Sequence, residues 1–262
     1  MSIVSLTTDF GTRDGNVGVM KGVIWGIDPT IQIADISHEI NPQDVYAASL
    51  VLDRQVWYFP PGTVHVVVVD PGVGTARRPI AAKLGVHYFV APDNGVLSSL
   101  YERAEKNVWE IKTVHTDNPK YWLPEISNVF HGRDIFSPVG AYLAAGVPLE
   151  ELGSVITDPM RFTIPQPQRT EEKVVGEVIN IDNFGNVATN IRVEHIAGMG
   201  DVKVTIAGRT IEGLVKAFGE GELGEMVALF DSFGYLSVAV VNGSASSGLH
   251  SKVGDPVEVV SL

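Results

Sequence analysis

Short apolar runs alternate with stretches of helical period through the first half of the chain. Residues 3–9 (IVSLTTD), 31–36 (IQIADI) and 63–70 (TVHVVVVD) read as strands, the third continuous in its apolar character as central parallel strands are. Between them, residues 15–28 (GNVGVMKGVIWGID) place apolar side chains at helical spacing. Residues 41–59 (NPQDVYAASLVLDRQVWYF) open with Asn and Pro, a suitable helix start, and carry a broad apolar face. Residues 80–93 turn about Gly85 and predict a hairpin, while 94–104 and 134–146 predict helices. Strands alternating with helices predict an α/β N-terminal domain, its central sheet mainly parallel and covered on both faces.

The texture changes after residues 148–153 (PLEELG). Residues 158–173 hold three prolines and a charge run, the composition of a linker. From Val174 onward come short β-rich runs (VVGEVINI, VKVTIAG, MVALF, YLSVAVVN, PVEVVSL) with glycine turns and no helical period of useful length. About 90 residues of this kind predict a smaller all-β, barrel-like C-terminal domain. The expected division is 1–157 for the α/β domain, 158–173 for the linker and 174–262 for the β domain, with no internal repeat and no low-complexity segment.

Composition narrows the partners. The 262 residues suffice to bury such cores, and 45% hydrophobic with 19% charged residues is too apolar for disorder. A formal net charge of −12 disfavours nucleic acid, which needs a basic face. It suits a cationic or zwitterionic small ligand, or simply serves solubility. The absence of cysteine excludes disulfides, thiolate nucleophiles and cysteine-ligated zinc, and agrees with a reducing compartment. The opening MSIVSLTTDFG lacks a signal peptide's basic region and long apolar stretch. No apolar run approaches the ~20 residues of a membrane helix. The expectation is a soluble, cytoplasmic protein without membrane partners.

In open α/β sheets, ligands sit beyond the carboxyl ends of the strands. The polar residues of the first half collect there: Asp9 before Phe10 and Gly11; Asp35 and His38 in DISH; Asp70, with Arg77 after a glycine turn; Asp93 and Asn94 in APDNG; and His131, Arg133 and Asp134 in FHGRD. Each has a plain alternative. Asp9 or Asp93 could cap the following segment, His38 could be a satisfied, partly buried histidine, and Arg77 could be half of a surface pair. Taken together they favour a site. The Asp and His set could bind metal as in a phosphoesterase, but no tight His pair or closely spaced carboxylate series appears. Alternatively, Asp70, Arg77 and His131 could hold and orient a water beside an organic substrate. The residues by themselves name no substrate.

Seven stretches, in order along nearly the whole chain, resemble the S-adenosyl-L-methionine (SAM) hydroxide adenosyltransferases, relatives of the fluorinase and chlorinase enzymes: LTTDFGTRD, DISHEI, VVDPGVGTARR, APDNGVL, FHGRDIFSPVGAYLAAG, IDNFGNVATNI and SFGYLSVAVVNGSAS. The resemblance implies an α/β N-terminal and a β-rich C-terminal domain. It implies a homotrimer, with SAM between the N-domain of one subunit and the C-domain of its neighbour. It also implies the reaction of SAM with water to give adenosine and L-methionine, with no cofactor and no metal.

The family's water-activating trio corresponds to Asp70, Arg77 and His131, with Asp70 and His131 both open as proton acceptor. Where fluorinase carries a Tyr this chain has Asp70, and where it carries the halide-contacting Ser this chain has Gly132. Water, rather than halide, is the implied nucleophile. Asp9 corresponds to the carboxylate that chelates the ribose 2′- and 3′-hydroxyls, and Asp14 and Asp182 to acidic positions near the methionine ammonium. Ser232 corresponds to a contact with the methionine carboxylate, although the Arg that follows in fluorinase is Phe233 here. Asn186 corresponds to an adenine-binding amide, Phe218 to a stacking ring, and Asn242 and Gly243 to the segment whose backbone reads the adenine edge. On residues alone, the C-terminal set reads as polar hairpin turns.

Overall fold

The valines of residues 64–69 point alternately to the two sides of one sheet, and the rest of the first half is built around that alternation. Val66 and Val68 pack with Val17, Met20, Ile24 and Val139, whereas Val67 and Val69 pack with Ala48, Leu52, Leu97 and Leu100. Each fully buried side chain of this size contributes about 1.5–3 kcal/mol. The computed structural model describes residues 2–262, in two compact units, Met1–Ile164 and Pro165–Leu262.

The first unit runs β1 (Ile3–Thr8), α1 (Asn16–Ile27), β2 (Gln32–Ser37), α2 (Val45–Gln55), β3 (Val64–Val68), β4 (Pro79–Leu84), β5 (His87–Pro92), α3 (Ser98–Lys106), β6 (Ile111–His115), α4 (Ser137–Ala144) and β7 (Ser154–Ile156). The sheet order is β2-β1-β3-β5-β4-β6-β7. Strands β2, β1, β3 and β5 are parallel, and β4, β6 and β7 add antiparallel pairings at one side. Helices α1 and α4 contribute to one core layer, α2 and α3 to the other.

Several boundaries differ from the sequence pattern for local reasons. Asn41 and Pro42 do not start α2; Gln43 sits at φ +67° and Asp44 caps the helix, its side chain accepting from Ala47 N. Residues 94–97 form a turn before α3, with Asn94 Oδ1 accepting from Val96 N at 3.1 Å. A π-helical turn over Gly132–Phe136 precedes α4. Strands β6 and β7 escape the pattern altogether.

The second unit contains β8 (Gln168–Arg169), β9 (Lys173–Ile181), β10 (Val187–Arg192), β11 (Val202–Ile206), β12 (Arg209–Glu212), β13 (Met226–Phe230), β14 (Tyr235–Val240), α5 (Ala245–Leu249) and β15 (Pro256–Ser261). Its antiparallel order is β12-β11-β15-β9-β10-β14-β13, with β8 on β9. The edge strands β12 and β13 approach each other, and Val215 N, just after β12, donates to Ala228 O in β13 at 2.9 Å. The sheet is thereby nearly closed into a barrel, and Ala245 and Leu249 of α5 join its core.

The proline-rich stretch expected as a linker is fixed by specific bonds. Asp158 O accepts from Arg78, Met160 N donates to Asp93 and Phe162 N donates to Ser98 Oγ, all in the first unit. Pro165 O accepts from Asn190 Nδ2 in the second.

Candidate active site

The chain leaves β3 and reaches Asp70 through one further buried valine. The Pro-Gly-Val-Gly turn then folds it back. Val73 N donates to Asp70 O at 3.2 Å, Thr75 Oγ1 donates to Gly72 O at 2.6 Å, and Arg77 N donates to Thr75 Oγ1 at 3.3 Å. This returns Arg77 to the carboxylate it left seven residues before, with Arg77 Nε donating to Asp70 Oδ1 at 3.1 Å and Nη2 to Oδ2. Arg77 Nη2 also reaches His131 Nδ1 at 3.0 Å. Asp70, Arg77 and His131, scattered in sequence, are one contact cluster.

The cluster is dry. The side chains of Asp70 and Arg77 retain 5% and 6% of their exposure, and the guanidinium lies 5.2 Å from the centre of the Phe136 ring. Burial pushes the Asp70 carboxyl above its ordinary range, more than the neighbouring guanidinium pulls it down. Burial, and then the charge of Arg77, lower the His131 imidazole. A guanidinium only donates, so Nδ1 accepts and the neutral ring carries its hydrogen on Nε2. Arg77 Nη1 is buried and has no hydrogen-bond partner among the described residues.

Two features hold His131 against the turn. Gly74 sits at φ +76°, and a Cβ there would come 2.3 Å from Asn128 O, so only glycine lets the turn lie on the loop before His131. The fully buried Asp134 accepts from Ser127 N at 2.8 Å and pairs with Arg133, pinning the same loop from the other side. Gly132 is enclosed as well: a Cβ there would meet Phe130 at 3.2 Å, Val68 at 3.3 Å and Phe10 at 3.4 Å.

The remaining strand-end residues divide. Asp9 follows β1 and its Oδ2 accepts from Gln43 N at 2.8 Å; Asp14 is exposed in the turn before α1. His38, buried rather than partly exposed, bonds to Thr8 and faces Asp35. Asp93 and Asn94 are structural: Asp93 binds Arg78 and Met160 N, and Asn94 Nδ2 donates to Val69 O.

In the barrel, Asp182 and Asn186 bind each other across the β9–β10 turn, Asn186 Nδ2 donating to Asp182 Oδ2 at 2.8 Å. Gly185, at φ +83°, lies against Ser244, which brings this turn to Asn242 and Gly243. The loop carrying Phe218 joins the same end, since Gly224 N donates to Val241 O at 3.0 Å. Phe184 and Phe218 are 76% and 48% exposed there. Ser232 lies at the opposite end, because Tyr235 pairs with Arg192 while Val238 pairs with Val187. Its turn, DSFGY, repeats the build of DNFGN. In both, the Asp Oδ1 accepts from the N–H groups two and four residues on, each at 2.9 Å. The Arg192 guanidinium packs beside that second turn, 3.9 Å from the Tyr235 ring and donating to Phe233 O.

Sequence reading missed Gly74, Asn128, Ser127 and Phe136, which shape the cluster without carrying its chemistry. Only the Pro-Gly-Val-Gly pattern hinted at the first of them. Among the described residues, no three His, Asp or Glu side chains gather as metal ligands, and no helix is long and apolar enough to cross a membrane.

Residues 4–153 match the SAM hydroxide adenosyltransferase N-terminal domain, and residues 176–258 match the corresponding C-terminal domain. A protein of Salinispora tropica named (R)-S-adenosyl-L-methionine hydrolase is 36% identical, covering 98% of this chain and 97% of its own length. One of the same name from Thermus thermophilus is also 36% identical, over 99% of this chain and all of its own. A fluorinase of an Actinoplanes species is 29% identical over 90% of each chain. The crystal structure of an uncharacterized conserved protein from Thermotoga maritima superposes with a TM-score of 0.92 and 39% identity, covering 98% of this chain and 99% of that one.

Proposed function

The chain belongs to the SAM hydroxide adenosyltransferase family, and from that premise we propose that it hydrolyses SAM to adenosine and L-methionine. The observation that carries the mechanism is the buried ion pair of Asp70 and Arg77 with the His131 imidazole on the same guanidinium. Water attacks ribose C5′ opposite the sulfur. The new bond is O–C5′, the C5′–S bond breaks, and its electron pair neutralises the sulfonium to a thioether. The leaving group needs no acid; the attacking water must lose a proton.

Asp70 takes that proton. Its carboxyl is more basic than an ordinary aspartate, and each oxygen keeps a lone pair beyond the one bonded to Arg77. His131 has its single lone pair turned to Arg77 and serves to orient the guanidinium. Arg77 Nη1, a buried donor without a protein acceptor, stabilises the oxygen as charge develops on it. The enclosed Gly132 offers no hydroxyl to a halide, and an ionised Asp70 repels one. Water is therefore the nucleophile.

Substrate contacts follow the family positions. Asp9 holds the ribose diol and Asp14 the methionine ammonium. Of the two barrel positions for the methionine end, Asp182 lies with the adenine set, whereas Ser232, the carboxylate position, stands at the other end of the barrel, so the two do not meet one α-carbon. Asn186, Phe218, Asn242 and Gly243 bind adenine, a role supported by their assembly at one end of the barrel. The assembly we propose is a homotrimer with sites between subunits, testable by light scattering, in the cytoplasm. The decisive experiment incubates the pure protein with SAM and follows products by chromatography. Adenosine and methionine in equal amounts are expected. No adenosine above the uncatalysed rate, or a 5′-halo product in high chloride, would overturn the reading.

A further inference from the structure

Beneath the turn that presents Asp9 lies a chain of side chains that the reaction above does not use. Thr8 is fully buried and His38 keeps 6% of its exposure. Thr8 Oγ1 accepts from Phe10 N at 3.2 Å and stands 2.9 Å from His38 Nδ1. His38 Nε2 faces Asp35 Oδ1 at 3.0 Å, and Asp35 Oδ2 accepts from Lys21 at 2.6 Å. The His38 backbone closes the turn from the same side, its carbonyl accepting from Gly11 N at 2.7 Å.

The polarity of this chain runs one way. An ammonium only donates and an ionised carboxylate only accepts, so Asp35, 3.0 Å from Nε2 though not aligned for a hydrogen bond with it, favours the ring hydrogen on that nitrogen. Nδ1 is then left to accept from the Thr8 hydroxyl, whose oxygen remains free to accept the Phe10 amide. Thr8 and Phe10 flank Asp9 in sequence, and the Thr8 hydroxyl both takes the Phe10 amide and meets the imidazole, so the peptide carrying that carboxylate is tied to His38 through Thr8. From the other direction, Gln43 N holds Asp9 Oδ2 at 2.8 Å.

We propose that His38 is a positioning residue for the nucleoside, setting the place of the Asp9 carboxylate through the Thr8 hydroxyl. This rests on the reading of Asp9 as acceptor for the ribose hydroxyls. Displacing a substrate-binding group by about 1 Å costs up to about 10²-fold, so an imidazole, with its fixed ring and two differentiated nitrogens, is worth burying here where an apolar side chain would fill the space.

The test compares SAM with its 2′-deoxy analogue in four variants. In His38→Asn the amide oxygen replaces Nδ1 and keeps the Thr8 bond; in His38→Gln the amide replaces Nε2 and loses it. Thr8→Val removes the hydroxyl at constant shape, and Asp9→Asn is the reference for the diol contact. His38→Gln and Thr8→Val should raise KM for SAM about tenfold with a much smaller change in kcat. Both should shrink the preference for SAM over the analogue, as Asp9→Asn does, while His38→Asn stays close to the parent. Unchanged KM and preference in His38→Gln and Thr8→Val, with Asp9→Asn impaired, overturns the role of His38 alone. An unchanged preference in Asp9→Asn overturns the reading of Asp9 and this proposal with it. Equal losses in His38→Asn and His38→Gln, tracking melting temperature, mark His38 as structural only. Should His38→Gln not fold, Thr8→Val decides.

Discussion

Arg77 and Arg78 are adjacent in the chain, and each meets a buried aspartate just past a strand end, but they leave different things over. Arg78 is consumed: Nε goes to Asp93 at 2.8 Å, Nη1 to Asp158 Oδ1 at 3.0 Å and Nη2 to Asp158 O at 2.8 Å. The second oxygen of Asp93 takes Met160 N at 2.7 Å. Arg77 binds Asp70 as closely, yet keeps a buried Nη1 without a protein acceptor and has an imidazole at its side. A satisfied network holds a fold together, whereas a buried donor to spare calls for an explanation, which the proposed reaction supplies for Arg77.

The contrast can be broken at its strongest point first. Asp70→Ala and Arg77→Ala should each reduce adenosine formation by ~10²-fold or more, the scale of a lost proton-transfer or electrostatic group. Arg78→Ala should leave turnover of the folded protein unchanged and lower its stability by about 2–3 kcal/mol, less than a fully buried pair because Arg78 is partly exposed. Denaturant midpoints and initial rates on the same samples check both; the reverse pattern would exchange the roles of the two arginines. His131→Ala should cost turnover about tenfold less than Asp70→Ala, since it orients rather than accepts. A larger loss moves the base to the imidazole.

Two pH measurements sharpen the same division. The pair His65 and His87 is buried near Ser5, with His65 Nδ1 2.6 Å from Ser5 Oγ. Burial, and then the charge of His87, lower His65 to about 3 from an ordinary 6.5. Folded His65 stays neutral while unfolded His65 takes up a proton. Its contribution is thus complete above pH 6.5 and lost as pH falls toward 3, by up to ~1.4 kcal/mol per pH unit. Urea midpoints of the parent and of a Ser5→Ala, His65→Leu variant test this: the variant's slope should be shallower. The smallest effect is on the rate profile. With the Asp70 pKa raised, the acid limb of kcat/KM should lie above the ordinary carboxylate value of ~3.9. A limb at or below that value removes Asp70 as the base.

The sequence made some of this visible. Continuous valines ending in Asp70 located the central strand and the edge where Asp70, Arg77 and His131 gather, and Pro-Gly-Val-Gly marked the return of Arg77. Strand β6 was hidden because Ile111 is exposed and Lys112 pairs with Glu150 on the surface, so neither alternation nor a run is left to read. Strand β7, Ser154–Ile156, is too short to carry a pattern. The approach of His131 depends on Gly74 meeting a backbone carbonyl 54 positions further on, a contact that no local periodicity encodes. Of the barrel residues, local sequence revealed only the turns, because what gathers Asn186, Asn242 and Phe218 is strand pairing among distant segments.

The glycine at position 74 also constrains how the pocket breathes. With its α-carbon pressed to the Asn128 carbonyl, and the loop beyond tied down by Asp134, the acid, the cation and the ring ride on a single clamped block. Under the proposed function, these three groups keep their mutual placement whatever other part of the chain adjusts to the substrate.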